Sequence, residues 1–377
     1  MPRAARIAVT VVFFASGGAY GSWVARIPTL QDELDASKSE LGLALFGVAG
    51  GAVLALPVAG LLTARLGSRR VTRASLFAVA VSLPLIGLAP SLVLLGVAFA
   101  AFGAAGGMLD LAMNAHGVAV EERYARPILS GFHASFSFGG LVGAGVGGLA
   151  AAAGISPLAQ FSGAALVILA VAVWSRGPLL PTNVDVVPGP VYSRPSRTLL
   201  ALAVVAFAVL LAEGATGDWS GVYMNDVLGT GEGAATIAFI AFSLMMTLGR
   251  MAGDRLTAAW GAAALTRRAG LLGASGLGVA LLFDSPAVAV LGFACLGAGL
   301  SIVVPIVFRA AGQRTDSPGA GIAAVSTVGY SAFLVGPPAI GFLADAIGLR
   351  GSLGVVAGLA ALIAVLAGAT REPARPR

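Results

Sequence analysis

The sequence is short of the residues from which most soluble catalysts are built. Of 377 residues, one is cysteine, two are histidine, and Asp, Glu, Lys and Arg together make up only 11%. The lone Cys295 excludes an internal disulfide, and with it a stapled secreted fold. His116 and His133 are too few for a histidine-based hydrolytic metal centre, and no His-Glu-x-x-His occurs. Lys38 is the only lysine, so there is no Gly-x-x-x-x-Gly-Lys phosphate loop and ATP-driven transport is disfavoured. Paired aspartates of the kind that hold magnesium for prenyl transfer are missing from every apolar stretch. Scarcity of charge is the strongest constraint. A soluble domain is about a quarter charged, and this chain could not cover a globule with polar surface. What is present is hydrophobic: 58% of residues, with a mean hydropathy of +0.93. Disorder is thereby excluded, and an all-α polytopic membrane protein remains.

A crossing helix needs about 20 mostly apolar residues. Charge-free stretches run over 7–25, 41–64, 74–109, 127–175, 198–212, 233–249, 269–283, 285–308, 317–344 and 351–370. The stretch 127–175 would reach about 74 Å as one straight helix, so it folds back, with Gly154-Ile155-Ser156-Pro157 as the turn. The stretch 74–109 divides at Ala89-Pro90-Ser91 in the same way. Ten stretches, two of them divided, predict twelve crossings. The first resembles a signal peptide, with Arg3 and Arg6 ahead of it, but its apolar run is longer than is usual for one and a retained helix is expected.

Orientation follows from the basic residues between crossings. With the N-terminus inside, 20 of the 23 lysines and arginines fall on the cytoplasmic side, leaving Arg26, Lys38 and Arg350 outside. The pI near 10.2 therefore reports membrane orientation and not a nucleic-acid partner. Arginine in place of lysine, with abundant Ala and Gly, suggests a GC-rich bacterial genome and hence the cytoplasmic membrane, with both termini inside.

The longest polar interruption, 176–197, holds Pro178, Pro181, Pro188, Pro190 and Pro195 and reads as an extended cytoplasmic linker. It divides the chain into a bundle over 1–175 and another over 198–377, six crossings each. Gly60/Gly253, Gly143/Gly336 and Gly148/Gly341 recur at one offset of 193, as in a parallel 6+6 repeat. Gly60-Leu61-Leu62-Thr63-Ala64-Arg65-Leu66-Gly67-Ser68-Arg69-Arg70 resembles the loop signature of the major facilitator superfamily, with Ala64 where that family carries an aspartate. Its second-half counterpart from Gly253 keeps the acid as Asp254. Trp23-x-x-Arg26-x-Pro28, Asp110-x-x-Met113-Asn114, Phe132-His133-x-Ser135-Phe136-Ser137 and Glu213-Gly214-x-x-x-Asp218-Trp219-Ser220 make the chain most similar to the bacterial YbjJ-like branch, itself distantly similar to sugar permeases such as fucose permease.

Ionised groups retained at mid-bilayer usually face a cavity or a partner. Asp110, Asn114 and His133 are expected at similar depth on consecutive crossings, either as a carboxylate–imidazole pair whose protonation couples to transport or as a static lock between two helices. Glu213 stands mid-span, with Thr216, Asp218 and Trp219 beyond it; it is a second proton site, a substrate contact, or a carboxylate neutralised by a buried donor. Asp218 and Trp219 also fit the outer water boundary, where an acid is cheap and Trp anchors. Tyr20 offers a hydroxyl and a stacking ring, Ser137 a hydroxyl. Arg26 either holds an anionic substrate or pairs with an outer acid such as Asp32. Gly139, Gly143 and Gly147 read as a helix-packing seam. Ser37 and Glu40 read as a capping box. The resemblance implies an inner gate from Arg65, Arg69, Arg250, Arg255 and Asp254.

These features together predict a secondary active transporter working by alternating access, a lipid-embedded monomer without cofactor or metal. Proton-coupled symport of a small polar solute, sugar-like or organic, comes first. Export of a drug or metabolite is the alternative, and a non-transporting sensor or scaffold is the reading from a different class.

Overall fold

The computed structural model describes residues 2–124, 128–181, 199–314 and 318–371; most of the expected linker at 176–197 lies outside them. Helices run in chain order as α1 (Pro2–Val24), α2 (Ile27–Glu33), α3 (Lys38–Leu66), α4 (Ser68–Gly87), α5 (Leu92–Tyr124), α6 (Leu129–Ala152), α7 (Pro157–Trp174), α8 (Leu200–Val222), α9 (Glu232–Ala235), α10 (Ile237–Trp260), α11 (Ala262–Ala280), α12 (Pro286–Leu300), α13 (Val303–Gly312) and α14 (Pro318–Val365). A π-helical turn, Tyr223–Val227, extends α8, and a 3₁₀ turn, Leu366–Thr370, closes the described chain.

Ten stretches of described helix are long and apolar enough to cross a membrane. Two features are consistent with the expected twelve. α11 carries Arg267 and Arg268 near its start, which dilutes its hydropathy, and α14 is interrupted at Gly348, whose φ of 79° leaves the helix and divides one run into two helices. Only glycine enters that region without strain.

The chain forms two compact units, one of Met1–Pro188 with Gly231–Thr236, the other of Gly189–Thr230 with Ile237–Arg377. The short segment holding α9 thus packs with the first unit although it lies between helices of the second. Lipid tails are as apolar as leucine, so close packing rather than the hydrophobic effect holds such units together. In the first unit α1 meets α6 backbone to backbone. A methyl at Gly17 or Gly21 would run into the carbonyls of Phe136 or Gly140, and one at Gly139 or Gly143 into those of Phe14 or Gly18. Gly147 continues the contact against Ala25, so the glycines every fourth residue are the seam their spacing predicts. α3 and α5 meet likewise through Gly47, Gly51 and Gly103. Trp23, Phe99 and Phe102 fill the space beside them.

Local signals place the ends. Glu40 N–H donates to Ser37 Oγ at 3.3 Å while Ser37 N–H donates to Glu40 Oε2 at 3.0 Å, the reciprocal cap that starts α3. Gly154 (φ 68°) turns the chain, Ser156 Oγ accepts from Ala159 N–H, and Pro157 opens α7. One expected crossing, 285–308, is broken: helix stops at Leu300 and resumes at Val303. Pro305 explains the place. It has no N–H for the carbonyl four residues back, which is that of Ser301.

Candidate functional site

The polar groups at mid-helix belong to each unit separately. In the first, Asp110 stands fourteen residues before the end of α5, which continues to Tyr124. Asn114, one turn on, donates from Nδ2 to Asp110 Oδ1 at 3.0 Å and to the Asp110 carbonyl at 2.8 Å. His133, on α6, lies edge-on to Phe13 of α1 at 5.3 Å between ring centroids, and Phe13 stacks on buried Phe132 at 5.7 Å. Ser137 Oγ donates back to the His133 carbonyl at 3.2 Å. Tyr20 stands edge-on to Trp23 at 5.4 Å and stacks with Phe136 at 6.5 Å. A row of rings thus runs along the α1–α6 contact, with His133 on it.

Arg26 is 2% exposed, at the junction of α1 and α2. Its Nη2 donates to the Ile155 carbonyl at 2.9 Å, and Nε and Nη1 have no acceptor among the described residues. Close by, Thr29 Oγ1 donates to Glu232 Oε2 at 2.5 Å, and Gln160 Nε2 donates to Ser22 Oγ at 2.5 Å. A backbone carbonyl bonding Arg26 is a partner that no side-chain pattern announces.

In the second unit Glu213 of α8 and Arg250 of α10 form an ion pair, Arg250 Nη2 to Glu213 Oε1 at 3.3 Å. Each is the fourteenth residue of its helix. Arg250 therefore does not sit in a cytoplasmic loop. The charge-free run stops at Gly249, but the helix continues to Trp260, and the glutamate opposite makes the arginine tolerable at that depth. Beside Glu213, Gly214 lies directly under the Phe333 ring, which stacks with Tyr330 at 6.3 Å.

Thr216 is fully buried and its hydroxyl donates to the Ala212 carbonyl at 2.8 Å. Asp218 is buried as well. Trp219 is fully buried, its Nε1 without an acceptor among the described residues. Trp219 is not the interfacial anchor that its place near the end of the span suggests, because α8 is covered on every side there: Ala215, Thr216, Gly217, Asp218, Trp219 and Ser220 are all buried. Among the residues expected at an inner gate, Arg65 and Arg255 are exposed, and Arg69 Nη2 donates to the Arg176 carbonyl. The Asp254 side chain lies outside the described residues.

The sequence model of the family described as Major Facilitator Superfamily matches residues 8–337. An uncharacterized MFS-type transporter of Yersinia pestis is 33% identical over 363 residues, covering 96% of this chain and 94% of that protein. The membrane protein MosC of Rhizobium meliloti is 34% identical over 363 residues, covering 95% of this chain and 88% of MosC. Among solved structures, a bacterial homolog of the human lysosomal transporter Spinster, inward-facing and unoccupied, superposes with a TM-score of 0.77 at 13% identity, covering 99% of both chains. The nucleoside transporter NupG superposes with a TM-score of 0.73 at 13% identity, covering 97% of this chain and 98% of NupG.

Proposed function

From membership of the Major Facilitator Superfamily, to which this chain belongs as a multi-pass membrane transporter, we propose that it carries a small polar solute, sugar-like or organic, in symport with protons. The observation that supports proton coupling best is the Glu213–Arg250 pair at mid-helix in α8 and α10. In this reading a proton taken up at Glu213 exchanges its bond from Arg250 for one between Arg250 and an acceptor on the solute. Proton uptake and solute binding are then linked through one arginine. Asp110, bonded by the neutral amide of Asn114 in its own helix, is the second proton site in this reading, with His133 beside the aromatic row.

Solute contacts fall to Tyr20, Asn114 and Ser137, and the hydroxyls and ring among them suit a hydroxylated, ring-bearing molecule. Thr216, Asp218, Trp219 and Arg26 are too enclosed to be reached without a change of conformation, and we assign them to later steps of the cycle. Alternating access carries the solute across, with Arg65, Arg69, Arg255 and Asp254 closing the inner side. The protein works as a monomer in the bacterial cytoplasmic membrane, both termini inside, without a cofactor. Purified protein in proteoliposomes, offered sugars, organic acids and nucleosides with and without an imposed pH gradient, tests this. Uptake of one class that rises with an inward proton gradient is expected. Movement only outward identifies an exporter, and no movement of any solute identifies a sensor or scaffold.

A further inference from the structure

His116 lies outside everything assigned so far, yet it is completely buried, eight residues before the end of α5. Both ring nitrogens are used. Nε2 accepts from the Leu180 backbone N–H at 3.1 Å, and Nδ1 is 2.6 Å from Ser68 Oγ. An imidazole that accepts at Nε2 is neutral with its proton on Nδ1, so Nδ1–H donates to Ser68. Ser68 is the first residue of α4, within the Gly67-Ser68-Arg69-Arg70 loop. Leu180 belongs to the stretch that leaves α7 toward the linker; Leu179 and Leu180 are both buried, and Arg69 bonds the Arg176 carbonyl in the same stretch.

We propose that His116 fastens the head of the linker to the start of α4, and that proton uptake by its imidazole unfastens it. A protonated ring carries N–H on both nitrogens, so Nε2 would face the Leu180 N–H donor to donor. The contact is lost and a buried amide loses its acceptor. The charged groups of this stretch are Arg69 of α4, bonded to the Arg176 carbonyl after α7, Arg73 of α4, which feels both of those arginines, and Glu121, five residues beyond His116 on α5. Glu121 is engaged by the Ile128 N–H. The fastened form is the one the structure holds, with Nε2 accepting from the Leu180 N–H. This inference stands apart from the transport reading: the clasp exists whatever the solute.

Hydrogen exchange followed by mass spectrometry on the full-length protein in nanodiscs tests it, with protection factors taken for the peptide covering 175–181. At neutral pH the Leu180 amide is expected to be protected, and acidification is expected to lower that protection about tenfold, while amides within α7 keep theirs. His116→Gln, whose amide both donates and accepts without titrating, is expected to keep the protection at either pH; His116→Ala is expected to lose it at both. A Leu180 amide that exchanges freely at neutral pH overturns the proposal, as does protection that survives His116→Ala or an acid loosening that persists in His116→Gln. The wild-type titration decides the matter if the alanine variant does not fold.

Discussion

Glu213 and Arg250 meet at 3.3 Å from the fourteenth positions of α8 and α10, helices that follow one another along the second unit. Equal depth is what lets two opposite charges cancel where neither could stay alone. A lone charged group near the centre of a membrane helix costs roughly 3 kcal/mol on insertion scales, and pairing removes most of the reason to avoid it.

Glu213→Gln removes the carboxylate from that pair, and Arg250→Gln removes the guanidinium. Each single change is expected to lower thermal stability by on the order of 1–2 kcal/mol, and the double change by less than the sum. Thermal unfolding of the purified variants in one detergent reads this. Additive losses would show that the pair does not interact.

Asp110→Asn keeps the shape and the bond to Asn114 while removing the ionisable group. Proton-driven accumulation is expected to fall at least tenfold, with solute exchange at equal pH on both sides within about twofold of the parent. Equal loss of both activities would make Asp110 a structural residue.

Gly17→Leu and Gly143→Leu push side chains into the facing backbone, where nothing flexible can yield. Losses of about 3 kcal/mol or more are expected, seen as a collapse of the monodisperse peak in size-exclusion chromatography. Gly145→Leu, on the same helix with open space around it, is the control and is expected to behave as the parent.

Ser37→Ala removes the side chain that accepts from Glu40 N–H. A cost of about 1 kcal/mol in unfolding is expected, with transport rate unchanged. A changed rate at unchanged stability would mean that the start of α3 takes part in the transport cycle.

Crossings, turns and caps were legible because each depends on a short stretch of chain. The turn at Gly154, the Ser37–Glu40 cap and the small-residue face of α6 all follow from local rules of backbone freedom and spacing. Legibility failed where charge was compensated in space. Counting charge-free residues ends a crossing at Gly249 because the count cannot see Glu213 opposite; comparing the depths of Glu213 and Arg250 on neighbouring helices would have found the pair. Distance from the end of the helix suggests the interface for Trp219, whereas packing of other helices around all sides of α8 at that level buries it. The acceptor of Arg26 is a peptide carbonyl, and the clasp of His116 ends on a peptide N–H; neither has a residue type that marks it.

The gap between α12 and α13 has a mechanical consequence. Ser301 and Ile302 sit between two runs of backbone that would otherwise be a single rod, and Ser301 Oγ donates to the Ala298 carbonyl at 2.7 Å. Part of the ladder is already open there, so α13 has less to break than an unbroken rod if it swings about this joint. A flexing point of that kind, held in place by a serine and a proline, gives the second unit a part that can bend while the helices around it keep their shape.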